Sequence, residues 1–420
     1  NPMKATRKPR KIICSWMAGF LLVSLSACSS SASDGLESYY LSEDLKLCTR
    51  ETDSGFFTIQ SFNKGYSTIC YTDYVGKKQL VLCDVPNCAH DSDSCKSYIK
   101  LNDDDFPPLI LSTSEKILLV YSSSSSKDMA HIDMMDLNGN NKELLVRLDK
   151  GESILGGIYA SGDFIYFEKW FVENTENGPT NRSAVYKVNN KTKESTLISL
   201  LPSGYAICGT SGFNYIISHY SQENAESFYT LSPANESNEW ALSSSPFYES
   251  SLTECGAMIL SGNIVEYYPK NYLLKISDID SGETVEIDCS KEVFPYDSNW
   301  IPDISKVYGA CTDIHYLQLT DSIETSAGNR TILHKIIDIS NRVFSPNIVL
   351  KDEFGKEMLP VGEYQDYFCV ITGYENLDKS STTDSGDFLI SSFNVPKYAL
   401  ILKSDYFSQT DNLIPIENLF

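Results

Sequence analysis

Three cysteines and a histidine crowd into the stretch LCDVPNCAHDSDSC, Leu82 to Cys95: Cys83, Cys88, His90 and Cys95. Thiolates and an imidazole are the ligand types of tetrahedral zinc. Four of them fill its coordination sphere, which makes a closed structural site rather than a catalytic one with a position left for water. The backbone here is free to wrap an ion, since Pro86-Asn87 is a turn pair and Asp91 to Ser94 is polar with no helical periodicity. The spacing of four, one and four intervening residues is not that of a zinc finger or zinc knuckle. His90 follows Cys88 by only two positions, so it needs a sharp turn to share an ion. Disulfide bonding suits the same residues, using two of Cys83, Cys88 and Cys95, or one of them with Cys48 or Cys70. Either closure consumes the ligand-type groups and staples a loop that has no apolar core of its own.

Little else in the chain is arranged for chemistry. The remaining histidines, His131, His219, His315 and His334, are scattered, and His219 and His315 sit among apolar strand residues as structural histidines do. There is no G-x-S-x-G elbow, phosphate loop or H-E-x-x-H helix, so no catalytic residue is assigned. Asp103 to Asp105, the pair Asp278/Asp280 and Asp313 have calcium-binding chemistry, but in a chain with 56 acidic against 34 basic residues they read as solvated turn residues. The formal charge of −22 excludes nucleic acid as a partner, because phosphate binding requires clustered cations.

The N-terminus has the parts of a secretory leader. Lys4, Arg7, Lys8, Arg10 and Lys11 precede a mostly apolar stretch from Ile12 to Leu25, too short for a spanning helix. Leu25-Ser26-Ala27-Cys28 follows, and it resembles the lipobox of bacterial lipoproteins. The resemblance implies that residues 1–27 are removed and that the Cys28 thiol carries a diacylglycerol, with a lipidated tether over 28–37 and the folded body over 38–420. Losing the leader leaves 29 cations against 56 acids, a charge of −27. A body this acidic does not adsorb to anionic lipid, so the acyl anchor is the expected membrane contact. The expected location is the extracytoplasmic face of a bacterial cell membrane, where sequons at Asn181, Asn190, Asn235 and Asn329 carry little weight.

Turn residues followed by alternating apolar and aromatic runs recur along the body. They are Glu115-Lys116 before ILLVY, Gly162-Asp163 before FIYF, Gly212-Phe213 before NYII, Gly262-Asn263 before IVEYY, Thr312-Asp313 before IHYLQL and Gln365-Asp366 before YFCVI. The steps between them are 47, 50, 50, 50 and 53 residues. Second hairpins follow within the units, around Asn138-Gly139, Asn190, Ser281-Gly282 and Asn341. Four strands at a period near fifty predict propeller blades. With an earlier unit starting at Gly55, the fold expected is an all-β propeller of about seven four-stranded blades, its ends joined through residues such as SYYLS near Tyr39.

The lipobox, the Cys-x-x-Pro-x-Cys-x-His segment at 83–90 with the further Cys95, and turns such as Asp136-Leu137-Asn138-Gly139 resemble a group of uncharacterised lipoproteins from Gram-positive gut bacteria with propeller-like domains. The resemblance implies fold and location, and no reaction. The expected role is a membrane-anchored binding module that meets a protein partner or extracellular ligand through its loops, with at most one structural zinc as cofactor. The alternative is a surface protein that binds or degrades glycan, supported by 26 Tyr and 4 Trp as stacking platforms. A funnel lined by carboxylates from three or more blades would favour glycan.

Overall fold

The recurring turns are the joints of the molecule. Gly162, Gly212 and Gly262 have φ values of +53°, +51° and +73°, and Gln365 takes +51° at the equivalent point. Each sits in a tight hairpin, closed by the pairs Ser161↔Phe164, Ser211↔Asn214, Leu260↔Asn263 and Tyr364↔Tyr367. A left-handed residue costs glycine nothing, which is why the fifty-residue period surfaces in the sequence as glycine; Gln365 adopts the same conformation against its Cβ.

The computed structural model describes residues 44–419 apart from 64–65, 102–105, 124–128, 177, 221–224, 234–239, 252–255, 296–302, 307–314, 325–329 and 383–387. The expectations for the leader, Cys28, the tether, Tyr39, Asp103 to Asp105 and Asp313 fall outside the described residues. The rest form seven sheets, the blades of an all-β propeller. Blade two is the simplest, with Leu109–Ser112 innermost, then Lys116–Tyr121, His131–Asp136 and Glu143–Arg147. Blade three repeats it with Ser153–Ser161, Phe164–Thr175, Gly178–Asn189 and Ser195–Leu201. In blade four Tyr205–Ser211, Asn214–Tyr220 and Ala225–Pro233 are edged by Trp240–Leu242 and Tyr248–Ser251. Blade five has Gly256–Leu260, Asn263–Tyr268, Leu273–Asp278 and Thr284–Asp288. Blade six has Asp303–Lys306, Tyr316–Glu324, Arg330–Asp338 and Val343–Phe344. Blade seven has Pro360–Tyr364, Tyr367–Thr382, Phe388–Leu402 and Ile414–Pro415. A five-residue helix, Lys403–Phe407, joins its last two strands.

Both faces of a blade are apolar, so the core lies between blades. Seven buried clusters occupy the seven junctions: Ile117, Leu119 and Met135 meet Phe57 and Ile69 between blades one and two, and Tyr166 and Val185 meet Tyr215 and Ile217 between blades three and four. Buried carboxylates bridge the same junctions. Glu168 of blade three accepts from the Ile207 N–H of blade four at 3.2 Å, and Glu266 of blade five accepts from the Tyr248 hydroxyl of blade four at 2.5 Å. Asp321 of blade six accepts from the Phe294 N–H at 2.7 Å.

Described segments from both ends of the chain build blade one. Its innermost strand is Glu51–Thr52, so Gly55–Asn63, expected to be first, is second, followed by Tyr66–Asp73. The outer strand comes in two pieces, Lys78–Val81 and Tyr98–Lys100, which pair with opposite halves of Tyr66–Asp73. The C-terminal strand Glu417–Leu419 then adds in parallel outside Lys78–Val81. Ahead of blade one the chain crosses the inner edges of blades four, three and two. The Leu45 N–H donates to Gly212 O at 2.9 Å, Lys46–Leu47 pairs with Ala160 and Tyr159, and Ser112 of blade two donates to Thr49 O.

The seam between blades one and seven is aromatic: Phe56 meets Tyr398 edge-on with ring centroids 5.3 Å apart, and Tyr74 lies 5.6 Å from Tyr364. The Arg50 guanidinium stacks 4.9 Å over Phe56 and donates to Val361 O at 3.0 Å. A Cβ on Gly362 would stand 1.8 Å from the Tyr74 hydroxyl oxygen. Gly362→Ala should therefore cost about 1–3 kcal/mol of stability, read as a lower urea midpoint with unchanged slope; an unchanged midpoint would contradict this packing.

Burial pushes the Glu51 carboxyl up from 4.5 to about 8, with Arg50 opposing and Glu363 adding to the rise. A carboxyl whose pKa is higher folded than unfolded supports folding while protonated. Its contribution is complete below pH 4.5 and is lost as pH rises through about 8. Glu51→Gln should raise Tm relative to the parent by an amount that grows across this window and then levels off. A pH-independent difference in melting scans would contradict the assignment.

Candidate metal centre

The cysteine-rich stretch is an insertion within the outer strand of blade one. Lys78–Val81 leads into it and Tyr98–Lys100 leaves it, both held on Tyr66–Asp73. The strand ends fix where the loop starts and finishes. Two left-handed residues fold what lies between: Asn87 and His90 both have φ of +57°. The first completes the turn at Pro86, and the second supplies the reversal that the Cys88-x-His90 spacing requires.

This folding brings Cys83, Cys88, His90 and Cys95 together, with their ligand atoms all within 4.8 Å of one another. That is the scale of a zinc sphere, in which tetrahedral sulfurs sit about 3.8 Å apart. Among the described residues no other group of three or more His, Cys, Asp or Glu converges in this way. The His90 Nδ1 lies 3.2 Å from the Cys95 Sγ. Eight described cysteines, these three among them, are thiols rather than disulfides. The group can hold a metal ion.

Its electrostatics single out one sulfur. Burial works against ionising Cys95, but the Ser97 hydroxyl at 2.9 Å, the Ser97 backbone N–H and the neighbouring Cys88 and Cys83 thiols outweigh it and hold the thiol below its ordinary range. Burial pushes Cys83 up to about 11, with Cys95 and Cys88 adding to the rise. Thiols elsewhere differ: burial takes Cys48, Cys208 and Cys289 up to about 12 and Cys369 higher still. Cys48 lies in the core between blades two and three, and Cys70 is opposite Val81 in the ladder.

The loop is also docked on blade two. Leu82 joins the cluster between blades one and two and lies against Gly139, where an added Cβ would come within 3.1 Å of it. The Lys96 ammonium pairs with Asp84 at 3.0 Å and donates to Asn140 at 3.2 Å. The turn Asp136 to Gly139, visible in sequence, is thus the seat of the loop. Ser97 and Lys96 carried no sequence signal, because a serine and a lysine beside cysteines are unremarkable until the fold fixes their distances.

The other sequence candidates are not gathered. His131 stacks on Tyr121 at 4.1 Å with its Nδ1 2.8 Å from Met129 O, and His219 stacks on Tyr205 at 4.3 Å. His334 lies 3.1 Å from the Thr320 hydroxyl, and burial lowers its pKa. His315 is exposed in the turn before Tyr316, not among apolar strand residues. Asp278 accepts the backbone N–H groups of Asp280 and Ser281, while Asp280 accepts the Ser211 hydroxyl at 2.6 Å. Two clefts of about 630 and 640 Å³ flank the N-terminal segment. The first is lined by Asp44, Asp278 and Asp280, and the second by Glu51, Asp53, Glu115 and Asp163, from blades one, two and three, together with Lys46 and Lys116.

No protein-family model matches the chain, and no curated protein matches it in sequence. Among solved structures it is similar to an oligogalacturonate lyase from Vibrio parahaemolyticus, at 10% identity over 83% of this chain and 91% of that one with a TM-score of 0.39. It is similar to apo AztD from Citrobacter koseri, at 10% identity over 86% and 84% with a TM-score of 0.41. It is similar also to TolB from Acinetobacter baumannii, at 11% identity over 83% and 76% with a TM-score of 0.31. Likenesses at this level carry no function across.

A ligand set that closes on one ion makes a stoichiometric prediction. The purified full chain should hold one zinc by elemental analysis, and Cys88→Ser or His90→Ala should remove it. Ser97→Ala should keep the stoichiometry but weaken zinc about 10–100-fold in chelator competition, as loss of a hydrogen bond to a ligand does. Equal affinity in Ser97→Ala would remove the serine from the site.

Proposed function

We propose that this chain is a lipid-anchored, extracytoplasmic bacterial lipoprotein whose propeller is a binding module, stapled by one zinc on Cys83, Cys88, His90 and Cys95. The observation that carries it is how the chemistry-bearing groups are disposed. The one convergent set among the described residues supplies four protein ligands, as structural zinc sites do and catalytic ones do not. The buried carboxylates Glu168 (through Oε2), Glu266 and Asp321 accept hydrogen bonds between or beside blades. What remains for function is surface. The central hairpins of blades three and seven, Phe164–Thr175 with Gly178–Asn189 and Tyr367–Thr382 with Phe388–Leu402, run well past the length of their neighbours. The lipobox supports the anchor, and the resemblance to Gram-positive lipoproteins agrees with it.

A second role, glycan binding, is supported by the cleft with carboxylates from three blades. Lys46 and Lys116 share that cleft, and Asp163 is paired with Lys191 at 2.6 Å, so its acidity is partly neutralised.

Anchoring has a direct test in a bacterial host. The full chain should partition into detergent with an acylated N-terminal Cys28 by mass spectrometry, and Cys28→Ala should move to the aqueous phase. An unacylated parent in the aqueous phase would remove the anchor. Incubation with neutral and uronic polysaccharides should generate no new chain ends, and new ends lost on replacing Glu115 and Asp163 would shift the function to glycan degradation.

A further inference from the structure

The two closures compatible with the cysteine segment, metal and disulfide, need not exclude each other. We infer that they are two redox states of one loop: a hydroperoxide oxidises Cys83 and Cys88 to a disulfide and expels the metal. The inference rests on the zinc assignment above and adds its regulation.

Three observations select these two sulfurs. Cys83 and Cys88 are partly exposed, while Cys95 is buried at 3% exposure and is engaged by Ser97 and His90. An oxidant arriving from solvent therefore reaches Cys83 and Cys88 first. Their ligand atoms already lie within 4.8 Å of each other. Closing to the roughly 2 Å of a disulfide needs only side-chain and turn motion, and residues 83–96 lie in no strand that would resist it. Finally, Cys48, Cys70, Cys289 and Cys369 are buried, and Cys208 packs against the cluster between blades four and five. Among the described thiols, the adjacent pair open to solvent is therefore in this loop.

The step balances as a two-electron oxidation. One zinc-bound thiolate attacks a peroxide oxygen, breaking the O–O bond and forming a sulfenic acid, and the departing oxygen leaves as water, or as an alcohol from an organic peroxide, after taking a proton. The second thiolate attacks that sulfur and displaces hydroxide, which takes a second proton to become water. The S–S bond carries the lost electron pair's consequence, and the peroxide is reduced. Zinc is left with Cys95 and His90, two ligands in place of four, and dissociates. Leu82 on Gly139 and Lys96 on Asn140 keep the ends of the loop seated, so the change is confined to the turn between them.

The zinc-loaded full chain would be titrated with hydrogen peroxide beside a chromogenic chelator, counting thiols and mapping disulfides by peptide mass spectrometry. One zinc should appear for each two thiols lost, the linked peptide should join Cys83 to Cys88, and dithiothreitol with added zinc should restore the starting state. Zinc retained after other thiols have reacted, or a disulfide that includes Cys95, would overturn the inference while leaving the zinc site standing. A chain that holds no zinc before peroxide is added fails at the earlier step instead. Cys95→Ser separates the chemistry from metal binding: it should lose zinc yet still form the Cys83–Cys88 disulfide with peroxide, and failure to form it in a folded variant would also overturn the inference.

Discussion

Every blade has two apolar faces, and no blade can bury both alone. Seven junction clusters follow from this one constraint, and the last is possible only if the chain's ends return to the same place. The seam between blades one and seven is where that requirement is met. Phe56, Tyr74, Tyr398 and Leu400 interlock there around Gly362, whose missing Cβ makes room for the Tyr74 hydroxyl. Fully burying side chains of this size contributes on the order of 1.5–3 kcal/mol each, so an open ring would forfeit a large part of the molecule's margin of stability.

Closure also explains the crowded architecture of blade one. The N-terminal segment supplies its innermost strand, the C-terminal strand adds to its outer edge, and the cysteine loop interrupts that same outer strand. A loop of sixteen residues with no ladder of its own would leave the strand's two halves independent. The four ligand atoms converge beside the edge on which Glu417–Leu419 docks, and an ion bound to them would tie the loop's ends together. A metal held here would act where the ring is assembled from pieces far apart in sequence, which is where a local crosslink does most to limit the freedom of the open chain.

Much of the fold was legible because it repeats. Glycines at 162, 212 and 262 mark a left-handed turn position that few other residues tolerate, and the alternating runs after them mark the strand that follows. Gln365 escaped the glycine pattern and was found only through its place in the period. Blade one was misread at its start because Glu51–Thr52 is two residues long and polar, with no alternation to detect. Its role as innermost strand comes from pairing with Phe56 and Gly55 alone. The expected closure through Tyr39 lies outside the described residues, and the visible closure uses a three-residue strand, Glu417–Leu419, whose parallel partner is more than three hundred residues away.

The sequence by itself determined the class of the fold, a count of about seven blades and the identity of the four ligand-type residues, because all of these are local: turn chemistry, strand alternation and residue type within one short loop. Only the tertiary structure decided that Asn87 and His90 reverse the loop, that Ser97 sits 2.9 Å from the Cys95 sulfur, and that Leu82 rests on Gly139 of the next blade. It alone showed that Glu168, Glu266 and Asp321 accept hydrogen bonds between or beside blades. The reason is physical: a side chain's role depends on which groups reach it across a junction, and those groups come from strands that the sequence separates by tens of residues and the ring brings face to face.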